Sequence, residues 1–374
     1  METKTHVEKQ KKKIFFFFKN KNKNKNNLLS KKLSTKRIKY DIFIDTTERF
    51  SIIHDKIKNI LIFYGNHPSK FIQEGNIYKY INVSNIKKIS NGIDFTLILT
   101  KDDKLYAFGN NEHGQCGIDN EKYIILHEPI EIDYFKKKNF FLLKTKTKII
   151  DIVCLPNTSY ILFENNELYA FGKNVINYIP QKMIMPDKIY KILGSNFNKL
   201  NILTQEGKIY ELNFIDPSGK TFSFLIKINI KNFENIFNYF FKTLILLNNN
   251  IIYKQKSYTI EFDKNYKFQK KMKIKGNIIK IVDNKFVKIC LTTKGVYPFG
   301  RKNFNLFGLF CNDEGKNEIE FFRDKKIIDI VLTTRRAMCT SKDGIVYIWG
   351  HDNKKINQKK KIIRYKTPII LYSS

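Results

Sequence analysis

The chain has 374 residues and a mass of 44.4 kDa, with 68 Lys and Arg against 35 Asp and Glu, a formal net charge of +33. Hydrophobic residues at 42% and aromatics at 14% supply the apolar surface of a sizeable core, which excludes a wholly disordered chain. No stretch reaches the roughly 18 consecutive apolar residues of a membrane-spanning helix. Five scattered cysteines without a C-x-x-C pair point to a reduced, intracellular protein with buried thiols.

The first predicted segment, residues 1–40, is a low-complexity basic tail. Residues 9–39 hold 13 Lys and Arg and no Asp or Glu, with four consecutive phenylalanines at 15–18 and a Lys-Asn alternation after them. Such a segment buries too little apolar surface to offset its ordering entropy, so the composition predicts disorder. Three readings stay open: a solvated tail, an organellar presequence, and a nuclear signal in KKLSTKR at 31–37. Outside residues 9–39 the chain carries 55 basic against 35 acidic residues, spread through every region. Lys, Asn, Ile and Phe can all be coded by A/T-rich triplets, so base composition can itself supply the lysine excess. Nucleic-acid binding is permitted by this charge and not established by it.

From residue 41 the texture changes to repeats. The clearest unit, FTLILTKDDKLYAFG at 95–109, is an apolar strand, a polar turn and a second strand ending in Gly109; residues 158–172 repeat it and end in Gly172. Copies at 199–210 and 242–253 keep the hairpin and lose the glycine, those ending at Gly300 and Gly350 restore it, and 50–65 is a weaker version. The residue three before the terminal glycine marks each copy: Ile62, Tyr106, Tyr169, Tyr210, Tyr253, Tyr297 and Tyr347, separated by 44, 63, 41, 43, 44 and 50. The outlier of 63 predicts an insertion at about residues 133–148. Turn residues such as Asp102-Asp103, Asn165-Asn166 and Asp343-Gly344 suit tight hairpins, and short β-branched runs such as 149–153 precede most copies.

Seven units of three or four short strands predict an all-β, seven-bladed propeller over residues 41–374, because radial closure leaves only short, protected edges. Phe108, Phe171, Phe299 and Trp349, just before the glycines, are expected between adjacent blades. Residues 40–45 or 367–371 are expected to pair across the junction and close the ring.

The segment 109–117, GNNEHGQCG, with LYAF before it, resembles the repeat of the RCC1 (regulator of chromosome condensation) family, in which a V-Y-x-W/F-G strand leads into x-N-x-x-G-Q-L-G. Cys116 stands where that repeat has Leu. Gly109, Gly114, Gly117, Gly172, Gly300 and Gly350 are the matching repeat glycines, and the resemblance spans about residues 45–365. It implies an RCC1-like propeller that binds a protein partner such as a small GTPase. In the founding activity the propeller drives nucleotide exchange on the GTPase Ran at chromatin, whereas many other members are noncatalytic scaffolds. The histidine frequent before the Leu-rich strand is missing here, with Asp94-Phe95, Asn157-Thr158 and Arg335-Arg336 around that point.

Other chemistry finds no support in the sequence. None of the six histidines forms H-E-x-x-H, and there is no G-x-S-x-G, P-loop or dinucleotide fingerprint, so no catalytic residue, cofactor or metal is predicted. The expected function is a monomeric, noncatalytic interaction scaffold in the nucleus or cytoplasm, or in an organelle if the tail directs import. The alternatives are an exchange factor for a Ran-type GTPase, acting without covalent catalysis, and a chromatin or nucleic-acid tether working through the tail. Lys136, Lys137 and Lys138 of the insertion, with Arg335 and Arg336, are the candidate partner-binding residues.

Overall fold

The computed structural model describes residues 40–374 apart from 66–76, 136–146, 195–199, 213–221, 228–232, 257–274, 301–317 and shorter stretches of one to four residues. The expected disordered tail and most of the insertion lie outside the described residues.

Seven antiparallel sheets follow one another along the chain, each with its strands in sequence order. Blades 1, 2, 3, 4 and 7 have four strands. Blades 5 and 6 have three among the described residues. The first strands of the blades are Ile42–Thr46, Ile86–Asn91, Ile149–Leu155, Ile189–Gly194, Phe233–Tyr239, Ile278–Asp283 and Ile327–Leu332. The first strands of blades 2 and 3, 3 and 4, 5 and 6, and 6 and 7 touch one another, Asn91 of blade 2 bonds Asp45 of blade 1, and the first strand of blade 7 touches that of blade 1, so these strands surround the axis. The protein is a seven-bladed β-propeller.

The second strands explain why the repeats read as unbroken apolar runs rather than alternating ones. Phe95–Thr100, Thr158–Phe163 and Arg336–Ser341 are buried at every residue. A mid-blade strand has a neighbouring blade against each face, so neither of its side-chain rows meets water. Phe63 of blade 1 meets Phe108 of blade 2 edge to face at 5.4 Å, and fully buried Trp349 lies 5.4 Å from Phe322 in the connection leading into blade 7. Phe171 lies against Phe135, which opens the insertion. The Phe299 side chain lies outside the described residues. In the hairpin turns, Asp103, Asn166, Gly207 and Gly344 adopt φ of 60°, 68°, 79° and 75°, the left-handed conformation that such residues tolerate.

Closure differs from the sequence expectation. Ile42–Thr46 pairs with Phe50–Asp55 inside blade 1, and the final strand, Lys359–Ser373, pairs with Ile345–Ile356 inside blade 7. Among the described residues no strand is shared across the junction. Each blade is filled by its own stretch of chain, so side chains must hold the ring shut. Ile44, Ile53 and Ile62 of blade 1 form one apolar cluster with Met338, Val346 and Ile348 of blade 7, and the Tyr372 hydroxyl donates to Asp55 Oδ2 at 2.8 Å.

Six of the seven first strands also share an irregularity. Their register slips by one residue near the start, at Lys87, Ile150, Tyr190, Glu234, Ile279 and Ile328. Each is a β-bulge, which leaves one residue unpaired and re-aims its side chain.

Candidate protein-interaction surface

At one end of the axis lie the loops joining first to second strands, and four of them interlock. Arg336, only 5% exposed, sends Nη2 to the carbonyl of Arg49 at 2.9 Å and to that of Glu48 at 3.4 Å, while Nη1 donates to Ser51 Oγ at 3.4 Å. Blade 7 is thereby tied to blade 1. Thr47 Oγ1 donates to the carbonyl of Ile93 in blade 2, and the Ile93 amide donates to the carbonyl of Pro156 in blade 3. Arg49 Nε stands 3.0 Å from Asp94 Oδ1. Burial raises the Asp94 carboxyl above its ordinary value, against the pull of Arg49. The rim across blades 7, 1, 2 and 3 is therefore set by hydrogen bonds between loops, around a depression lined by Thr47, Asn91, Cys154, Pro156 and Thr333 among others.

The axis itself is polar and charged. Lys88 pairs with Asp151 from blade 2 to blade 3, and Lys280 Nζ reaches Asp329 Oδ1 at 2.7 Å from blade 6 to blade 7. Asp45 accepts from Asn91 Nδ2 at 2.6 Å and from its neighbour's amide, Thr46 N, at 2.8 Å. Burial pushes its carboxyl upward, and those two donors pull it back. The recurring charge next to five of the six bulges (Lys88, Asp151, Lys191, Lys280, Asp329) is visible once the copies are aligned at their first strands. An alignment on the hairpins alone misses it.

The turn after Gly109 shows what the N-x-x-G-Q-x-G pattern builds. Asn111 Oδ1 accepts from Cys116 N at 2.9 Å, and its Nδ2 donates to the carbonyls of Ile118 and Tyr123, each at 2.9 Å. One buried amide thus replaces a strand ladder across the loop. Ser159 Oγ of blade 3 donates to the carbonyl of Gln115 at 2.7 Å, docking the turn on the next blade. Gly114 and Gly117 adopt φ of 69° and 67°, and a Cβ on Gly117 would stand 3.0 Å from the Phe171 ring. Gly109, Gly172 and Gly350 end their strands at φ of 106°, 121° and 110°. Gly300 ends its strand opposite Val287.

The candidate contact residues separate into two groups. Lys136, Lys137, Lys138 and Arg335 lie outside the described residues. Arg336 is turned inward and spends its guanidinium on ring closure, a role that a lone Arg before an apolar strand does not announce. The described cysteines are buried. Cys154 and Cys290 are each pushed up to about 12, while Cys116 and Cys339 rise well above the ordinary thiol value, in every case chiefly by burial. They are neutral core groups, not thiolates. Among the described residues no cluster of three His, Cys, Asp or Glu comes together in a way that could hold a metal ion.

The fold and the turn together define the class of protein, a β-propeller in which most repeats end a strand in glycine and one locks through an Asn-centred loop. The family model of the regulator of chromosome condensation (RCC1) repeat matches residues 86–115 and 102–154. The chain is an RCC1-like repeat protein. An RCC1 repeat-containing protein of Dictyostelium discoideum is 30% identical over 201 residues, covering 45% of this chain and 39% of the relative. The mouse serine/threonine-protein kinase Nek9 is 27% identical over 135 residues, 33% of this chain and 13% of the kinase. The chain thus spans less than half the length of these relatives. Among solved structures, Prp20p of Saccharomyces cerevisiae superposes with a TM-score of 0.61 at 13% identity, covering 89% of this chain and 88% of Prp20p. Human WBSCR16 gives 0.58 at 14% identity, covering 82% and 90%.

Proposed function

We propose that this propeller is a noncatalytic scaffold that holds a protein partner on its loop surface, inside the cell and as a monomer. The interlocked rim supports this reading. Loops already pinned by Arg336, Thr47 and Ile93 lose little conformational freedom when a partner docks, and that ordering cost is what weakens binding by mobile loops. Arg335, next to Arg336 in the sequence, and Lys136, Lys137 and Lys138 of the insertion are the proposed contacts of such a partner.

A second reading, nucleotide exchange on a Ran-type GTPase, is favoured by the shared fold with Prp20p, whose structure is described together with its binding to Gsp1p and histones. Exchange requires preferential binding of the nucleotide-free GTPase, since only that preference lowers the barrier to release. A third reading makes residues 1–40 a chromatin or nucleic-acid tether, on the strength of the 13 basic residues in 9–39. Release of a fluorescent nucleotide from Ran separates the first two. The scaffold reading expects little acceleration at micromolar protein, with a partner complex that survives physiological salt. A hundredfold acceleration, about 2.7 kcal/mol off the barrier, replaces it with the exchange reading. Steep loss of retention as salt rises marks the third.

A further inference from the structure

The other end of the axis, where the first strands begin, carries the bulges. Four bulged residues are large, apolar and exposed: Ile150 at 43%, Tyr190 at 55%, Ile279 at 46% and Ile328 at 42%. They occupy the same repeat position in blades 3, 4, 6 and 7, at the starts of strands that surround the axis. Other exposed apolar residues, such as Ile57, Ile124 and Ile184, do not share that position. A bulge is forced on none of these strands by ring closure, because blade 1 closes without one. The bulge aims an apolar side chain into water at that mouth four times over, an arrangement that costs solvation unless something covers it.

Lysines stand around this collar, with one carboxylate among them, that of exposed Glu164, whose amide meets the Lys148 carbonyl, and the sequence places Glu234 at the blade 5 bulge. Lys148, Lys188 and Lys326, all exposed, stand two residues ahead of Ile150, Tyr190 and Ile328. Their carbonyls accept the amides of Glu164, Gln205 and Lys342, which fixes the backbone from which each side chain leaves. Exposed Lys275 precedes Ile279, and Lys87 occupies the bulge of blade 2, donating to the carbonyl of Ile149. Of the other carboxylates beside the collar, Asp151 and Asp329 are held by Lys88 and Lys280, and Asp187 by Lys208 and Tyr210.

We infer that this mouth is a docking site for an acidic peptide segment of a partner protein that carries one or two bulky apolar side chains. The apolar residues enter the collar, and the flanking carboxylates meet the lysines. An apolar group gains about 25 cal/mol per Å² that it removes from water, and rim charges of complementary sign speed encounter and fix orientation. A nucleic acid meets the lysines equally well but has no use for three exposed isoleucines. The inference goes beyond the scaffold reading by adding a second site, at the mouth opposite the interlocked rim, and rests on that reading only in that the partner is a protein.

The test uses the full chain and a fluorescein-labelled probe, Asp-Glu-Asp-Leu-Phe-Asp-Glu, followed by anisotropy. Wild-type protein is expected to bind it, with at least tenfold weakening when Leu-Phe is replaced by Ser-Ser in the probe. The variant Tyr190→Ser/Ile279→Ser/Ile328→Ser is expected to weaken binding tenfold or more, whereas Ile57→Ser/Ile124→Ser changes it less than threefold. Should the triple variant fail to fold by circular dichroism, Lys188→Glu/Lys326→Glu carries the same expectation with the collar intact. No binding to wild type, equal binding of the Ser-Ser probe, or tighter binding of an oligothymidylate unaffected by the collar substitutions overturns the proposal. Retention of a salt-stable partner by the collar variant overturns the docking site and leaves the scaffold reading standing on the opposite face.

Discussion

His54 lies 3% exposed in the second strand of blade 1, with Nε2 buried and without a hydrogen-bond partner among the described residues. Burial, reinforced by the Lys56 charge, lowers its pKa to about 4, against the opposing pull of Asp55 and Asp41. The folded state therefore refuses a proton that the unfolded chain accepts below about 6.5. Stability is present above the unfolded value and is lost as pH falls from about 6.5 towards 4, by up to roughly 3 kcal/mol. Asp45 and Asp94 act in the opposite sense, because their raised folded values favour the folded state as pH falls. The comparison that isolates His54 is denaturant unfolding of wild type and His54→Leu at pH 7 and pH 4.5. The variant is expected to lose less stability between the two pH values, and an unchanged difference contradicts the assignment.

At the scale of the element, the repeat depends on how a third strand leaves the blade. Lys173 N donates to the carbonyl of Asn157 at 2.9 Å, just past Gly172, so two chain segments cross there at backbone distance. A Cβ on Gly172 would stand 2.4 Å from that carbonyl oxygen, at a φ of +121° that side chains rarely adopt. Gly172→Ala is accordingly expected to cost about 2 kcal/mol or more, read as a lowered denaturation midpoint with an unchanged slope. A substitution tolerated within 0.5 kcal/mol would mean that the strand ends can separate without penalty. The glycine, its aromatic neighbour and the tight turn were legible in the sequence because each is a local demand on φ or on volume. The bulge was not, since register is a relation between two strands and the string of one strand does not contain it.

For the whole molecule, the junction between blades 7 and 1 is the place where the ring can open. A shared strand would close it with a ladder of backbone hydrogen bonds. Here an apolar cluster, the Tyr372–Asp55 hydrogen bond and the Arg336 guanidinium do so. Removing Arg336 leaves the carbonyls of Glu48 and Arg49 without those charged donors, at a cost of roughly 1.5–3 kcal/mol. Arg336→Ala is expected to raise amide exchange first at Ile42–Thr46 and Phe50–Asp55, with blades 3 and 4 unaffected until global unfolding. Uniform acceleration through all blades would show that the junction is no weaker than the rest.

By itself the sequence determined the repeat count, the hairpins, the blade-closing glycines and the class of fold, all of which follow from local periodicity and turn chemistry. It also marked the Asn111–Gly117 turn, because its residues bond chiefly to one another. Tertiary structure alone decided that among the described residues no strand crosses the junction, that Arg336 faces inward, and that Ile150, Tyr190, Ile279 and Ile328 share one mouth. These are long-range facts: Arg336 meets Arg49 across 287 positions of chain, and the four collar residues come from four separate blades. No window of sequence contains both partners of such a contact, and only closure of the ring brings them together.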